Sequence, residues 1–87
     1  MRSGEKTTRV KQLSTQPEKL KGEVKRITFS SPETGFTVAE VRVEGELLPI
    51  TIVGNLGNVF PGQVLHMEGM WELHPRFGKR FKVHVYS

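Results

Sequence analysis

Apolar and polar residues alternate in five short runs between Leu20 and Tyr86, and turn-forming residues separate the runs. Alternation with a period of two puts successive side chains on opposite faces of a strand, so it indicates half-buried β-strands rather than helices. The five runs span residues 20–30, 36–44, 47–53, 63–73 and 80–86. The pattern therefore predicts an all-β domain.

The first run changes phase in its middle. Leu20, Gly22 and Val24 share one face, whereas Ile27 and Phe29 continue with the opposite parity. A shift of one residue moves every later side chain to the other face, so we expect a β-bulge that bends this strand.

The last run predicts two faces of different chemistry. Phe81, Val83 and Val85 are expected to point into the core. The alternate positions are then expected to face outward together, and they are Arg80, Lys82, His84 and Tyr86.

The connection between the third and fourth runs decides the architecture. Residues 54–62 contain three glycines and a Pro61-Gly62 turn, which excludes a two-residue hairpin there. Five short strands with a bent first strand and a long connection after the third predict a five-stranded Greek-key barrel of the OB type. An SH3-like barrel is the main alternative.

The N-terminal segment has a different composition. Residues 1–18 are polar and carry few aliphatic side chains, so we expect a flexible, disordered basic tail or linker before a single domain at 19–87. The net charge of the 87-residue chain is +4, and all of this excess lies in residues 1–21. Residues 22–87 hold seven basic residues and seven glutamates, so the predicted domain is neutral overall.

Several kinds of chemistry are not expected. Cysteine is absent, which excludes disulfides, thiolate zinc sites and cysteine nucleophiles and favours a cytoplasmic location. No apolar run reaches the length of a membrane span, and the three histidines lack the spacing of metal ligands. A phosphate-binding loop of the Gly-x-x-x-x-Gly-Lys type is also missing, so the chain itself is not expected to be an enzyme.

The segment that joins the last two strands is the leading candidate for function. Residues 74–82 hold four fixed positive charges and no acid, with Phe77 at the turn. Cations can neutralise phosphates while an exposed ring stacks on a base, so we expect contact with nucleic acid. The alternative is a solvated turn whose charges protect a sheet edge. The candidate DNA-binding residues are Arg76, Phe77, Lys79, Arg80, Lys82 and Tyr86.

Six ordered blocks of sequence resemble a known family. They are Lys21–Phe29, Glu33–Ala39, Val53–Leu56, Pro61–Gly62, Gly69–Trp71 and His74–Val83. Together they resemble the N-terminal OB-fold domain of bacterial RecD-like helicases, the RecD/TraA family of ATP-dependent DNA helicases of the exodeoxyribonuclease V alpha-subunit type. The resemblance covers nearly the whole predicted domain.

The resemblance implies an accessory domain in DNA repair or recombination. Its expected partners are single-stranded DNA or a strand junction, bound weakly and without sequence preference, and the motor domains of the same polypeptide. ATP and magnesium would belong to those motor domains, which this chain lacks. Two alternatives remain open: a protein-docking module that does not touch nucleic acid, and a stand-alone RNA-binding protein, although few aromatic residues are expected on exposed strand positions.

Overall fold

The computed structural model describes residues 9–87, which form six β-strands and no helix. The strands are β1 (Lys11–Gln12), β2 (Glu18–Ser30), β3 (Phe36–Arg42), β4 (Ile50–Asn55), β5 (Val64–His74) and β6 (Gly78–Tyr86). The five longer strands overlap the five alternating runs, but β4 begins at Ile50 rather than at Leu47, so Leu47 and Leu48 lie in the preceding loop. Residues 1–8, the first part of the predicted tail, lie outside the described residues.

Strands β2 to β6 close into a barrel. Neighbouring strands follow the order β5-β2-β3-β4-β6, and a further β5–β6 pairing returns β6 to the start of the series. All of these pairings are antiparallel except β4–β6, which is parallel and pairs Ile52 with Phe81 and Val53 with Lys82. This arrangement confirms the predicted five-stranded OB-type barrel.

The bend predicted in the first strand is present in β2. Its pairing with β3 shifts register between Val24 and Arg26 and again between Ile27 and Phe29. The N-terminal half of β2 pairs with β5 and the C-terminal half pairs with β3, so the bend lets one strand serve both sides of the barrel. The second shift leaves Phe29 54% exposed, although the alternation predicts that it shares the face of Ile27.

The barrel interior is filled by aliphatic residues from all five strands and by one aromatic ring. Phe81 is fully buried and meets Trp71 edge to face, with 5.0 Å between ring centroids. Gly69 lies where β6 crosses β5 closely, because an added Cβ would collide with the carbonyl group of Lys82. The buried core residues are Val24, Ala39, Val41, Ile52, Leu56, Leu65, Met67, Phe81 and Val83.

The end of β6 differs from the prediction. Glu68 lies opposite Val85, but the next residue of β5, Gly69, lies opposite Val83, so His84 is an extra residue in β6. This bulge reverses the alternation beyond Val83. The expectation that Val85 is a core residue is therefore wrong, and its side chain is 60% exposed.

The described part of the predicted tail is also corrected. β1 pairs with β5, with Lys11 opposite Leu73 and Gln12 opposite Glu72. Ser14 is 7% exposed, and its Oγ accepts a hydrogen bond from the Trp71 N–H at 2.8 Å and donates one to Glu18 at 2.9 Å. Backbone pairing and one buried hydroxyl order this segment, and neither has a signature in hydropathy.

Candidate nucleic-acid interface

The tip of the β5–β6 hairpin is held in shape by one histidine. His74 Nδ1 accepts hydrogen bonds from the backbone N–H groups of Arg76 and Phe77, at 3.0 and 3.1 Å. The Phe77 ring lies 4.7 Å from the His74 ring, between centroids, and the Arg76 guanidinium lies 5.8 Å from the Phe77 ring. Gly78 closes the turn with a φ of +86°, a conformation that favours glycine. The tip thus presents Phe77, 70% exposed, on an ordered turn.

Beyond the tip, strand alternation separates the cations that the sequence places next to each other. Lys79 turns to the face of Trp71, where its Nζ lies 4.7 Å from the centre of the indole ring. Arg80 turns to the opposite face, where its Nε donates to Glu72 Oε2 at 2.6 Å. The candidate charges are therefore divided among the tip and the two faces of the hairpin.

A groove of about 600 Å³ runs along the outer face of β6, and we call it the β6 groove. From β6 it is lined by Arg80, Lys82, His84 and Tyr86, and its other walls include Glu72, Asn55 and Phe36. The structure thus brings Arg80, Lys82 and Tyr86 together in one groove, although the bulge at His84 interrupts the alternation from which their common face was predicted. Arg76, Phe77 and Lys79 do not line it.

Two aromatic residues near this surface were not among the candidates. Phe36 lines the β6 groove and is 39% exposed. Its ring lies 6.3 Å from that of Phe29, between centroids. The two residues flank the short turn of residues 31–35, and that position at two strand ends is the signal that could have identified them.

The groove combines both signs of charge. Glu72 is 8% exposed and partly neutralises Arg80. Lys82 is therefore the exposed fixed positive charge of the groove.

Among residues 9–87 no group of three histidine, aspartate or glutamate side chains could hold a metal ion. In the same part of the chain, no helix has the length and apolar character to cross a membrane.

A comparison with protein-family models identifies the family. The model for the OB-fold domain of ATP-dependent DNA helicase YrrC matches residues 17–87. The chain belongs to this family of helicase OB-fold domains. Neither a curated protein nor a solved structure matches the chain. The residues that match this helicase OB-fold domain include all five strands of the barrel, whereas β1 precedes them.

Proposed function

We propose that this OB-fold domain gives a RecD-like DNA helicase a weak contact, without strong sequence preference, to single-stranded DNA or to a strand junction. The observation that carries the proposal is the β6 groove, an exposed channel that combines cations with aromatic rings on the outer face of an OB barrel. The outer face around the second and third barrel strands, here β3 and β4, is the surface on which OB folds bind oligonucleotides.

Each part of a DNA strand has a complementary group on this surface. Lys82 in the groove and Arg76 and Lys79 on the hairpin can meet phosphates, because all three carry exposed positive charge. Tyr86 and Phe36 offer rings inside the groove, and Phe77 offers one at the tip. We infer that the DNA strand passes from the Trp71 face, where Lys79 lies, over the hairpin tip and along the β6 groove.

The same geometry supports weak binding. Arg80 is already paired with Glu72, and residues 22–87 carry no net charge. With three phosphates neutralised, the logarithm of the association constant should fall with the logarithm of salt concentration at a slope of roughly −2 on single strands. A slope near zero would contradict the electrostatic part of the proposal.

The direct test is an NMR titration of the chain with a short oligothymidylate at low salt. We expect shift changes at Lys82, Tyr86 and residues 74–80, and a weaker response in the Lys82→Ala variant. Lys25→Ala is the matched control, since Lys25 is an exposed strand lysine that does not line the groove. Unchanged spectra throughout 74–86 would refute direct binding.

We assign the catalytic chemistry of the parent protein to other domains. ATP hydrolysis, magnesium binding and unwinding would take place in motor domains of the same polypeptide, because this chain has no phosphate-binding loop. Membership of a DNA helicase family supports a role in DNA repair or recombination and a cytoplasmic location.

A second candidate function is docking onto another domain of the helicase polypeptide. It is favoured by Leu47 and Leu48, adjacent side chains that are 99% and 77% exposed and border an open pocket with Val64. Adjacent leucines that protrude from a loop are typical of a contact surface. Hydrogen exchange at residues 44–49 should be slower in the intact helicase than in this chain, and equal rates would rule out docking through this loop.

A further inference from the structure

We propose that Glu72 and Arg80 together recognise the edge of a base in the β6 groove and that they favour guanine. This inference rests on the proposed function, because it assumes that single-stranded DNA enters the groove. It adds a preference for one base to a contact that is otherwise independent of sequence.

The first step concerns the groups of this ion pair that have no partner among the described side chains. One Arg80 N–H donates to one Glu72 oxygen, while a guanidinium has five N–H groups and a carboxylate has two oxygens. No buried side-chain nitrogen or oxygen in residues 9–87 lacks a hydrogen-bond partner. The guanidinium nitrogens and the carboxylate oxygen that have no partner among residues 9–87 are therefore not fully buried, and both residues line the β6 groove.

The second step concerns which part of DNA fits beside these groups. The Glu72 carboxylate repels a phosphate, so this part of the groove is poorly suited to the DNA backbone, unlike the neighbouring Lys82. A base edge is neutral and carries both donors and acceptors, which complement an acceptor and a donor held side by side. The pair is mostly buried, with side-chain exposures of 17% for Arg80 and 11% for Glu72, so hydrogen bonds to it compete less with water.

The third step selects the base. The Watson–Crick edge of guanine presents O6 as an acceptor next to two donors, N1–H and the N2 amino group. A carboxylate can accept from both donors while a guanidinium donates to O6. The corresponding edges of adenine, cytosine and thymine each offer one donor group, so they leave more of the pair unsatisfied. Tyr86 lines the same groove further along β6, where a neighbouring base of the same DNA strand can stack on its ring.

The experiment measures fluorescence anisotropy of the whole chain at one low salt concentration. The probes are a dT12 oligonucleotide and variants in which one central base is guanine, adenine, cytosine or hypoxanthine. We expect guanine to bind about fivefold or more tightly than thymine. Hypoxanthine, which lacks the N2 amino group, should lose most of that gain.

Two variants connect the preference to the ion pair. Glu72→Gln should abolish the ranking of bases, because an amide places a donor where guanine also donates. Glu40→Gln is the matched control, since Glu40 pairs with Arg26 at 3.1 Å but does not line the groove, and it should keep the ranking. The hypoxanthine measurement uses the unmodified chain, so the test does not depend on either variant folding.

The outcomes separate this inference from the proposed function. Equal affinity for all oligonucleotides would overturn base recognition and leave DNA binding intact. If hypoxanthine binds as tightly as guanine and the Glu72→Gln variant still prefers guanine, the preference arises from other residues and the inference is also overturned. Absence of binding to every oligonucleotide would overturn the proposed function itself.

Discussion

The β5–β6 hairpin and the loop of residues 43–49 both connect antiparallel partners, yet they differ in charge and in internal support. The hairpin is basic. Its turn is stabilised by His74, its strand β5 pairs with β1, and the Glu72–Arg80 ion pair joins its two strands. In the 43–49 loop, a backbone bond from Glu46 N–H to Val43 O spans the turn, and Leu47 and Leu48 extend into solvent.

This difference separates the two candidate functions. An ordered cationic element loses little conformational freedom when it binds a polyanion, so it suits DNA. Exposed leucines on a loop gain stability when they are buried against apolar surface, so they suit contact with another protein. The barrel can thus present DNA-binding and docking surfaces without sharing residues between them.

Within the two compared regions and their supports, the largest effect is expected from disturbing the site where the hairpin joins the barrel. Gly69→Ala places a methyl group against the Lys82 backbone, with its carbonyl carbon only 2.9 Å from the new Cβ. We expect a loss of roughly 3 kcal/mol in the free energy of unfolding, because the backbone must move. Urea denaturation measures it. Gly57→Ala is the control, since nothing lies within 4 Å of its added Cβ, and equal losses in both variants would contradict the explanation.

A smaller effect is expected when the hydrogen bond between Ser14 and β5 is removed. Ser14→Ala leaves the Trp71 N–H without its side-chain acceptor, which should cost about 1–3 kcal/mol. The same denaturation experiment measures the change, and amide exchange should also accelerate at Trp71. Thr15→Ala changes an exposed neighbour and should be nearly neutral. If both variants unfold alike, the Ser14 hydroxyl does not stabilise the hairpin.

The smallest effect on stability is expected in the loop of residues 43–49. Replacing Leu47 and Leu48 with Asp should change the free energy of unfolding of the 87-residue chain by no more than about 0.5 kcal/mol, because both side chains are already in water. Leu65→Ala, at a fully buried leucine, should instead cost about 2–5 kcal/mol. A large loss from the loop substitutions would mean that the leucines support the barrel itself.

The sequence predicted the barrel because its strands follow a simple alternation. The phase change between Val24 and Ile27 even located the bend of β2. The bulge at His84 left no comparable mark, because Val83 and Val85 continue the apolar alternation across it. β1 was missed for another reason, since two exposed residues joined by backbone hydrogen bonds carry no hydropathy signal.

The candidate site was predictable in composition but not in arrangement. Alternation along β6 anticipated that Arg80 and Lys82 share an outward face, but the bulge at His84 means that it does not account for Tyr86 in the same groove. It could not reveal that Glu72 pairs with Arg80 or that Lys79 lies on Trp71, since both contacts depend on the register between two strands. Whether the candidate residues bind DNA remains a prediction.

The parallel pairing of β4 with β6 has a kinetic consequence. In the described chain this seam consists of the residue pairs Ile52–Phe81 and Val53–Lys82, whereas β5 and β6 pair along most of their length. Local opening should therefore begin here, with β6 leaving β4 while it stays attached to β5. Residues of both β4 and β6 line the β6 groove, so a DNA strand bound there would hold these two β-strands together and slow the opening of the barrel.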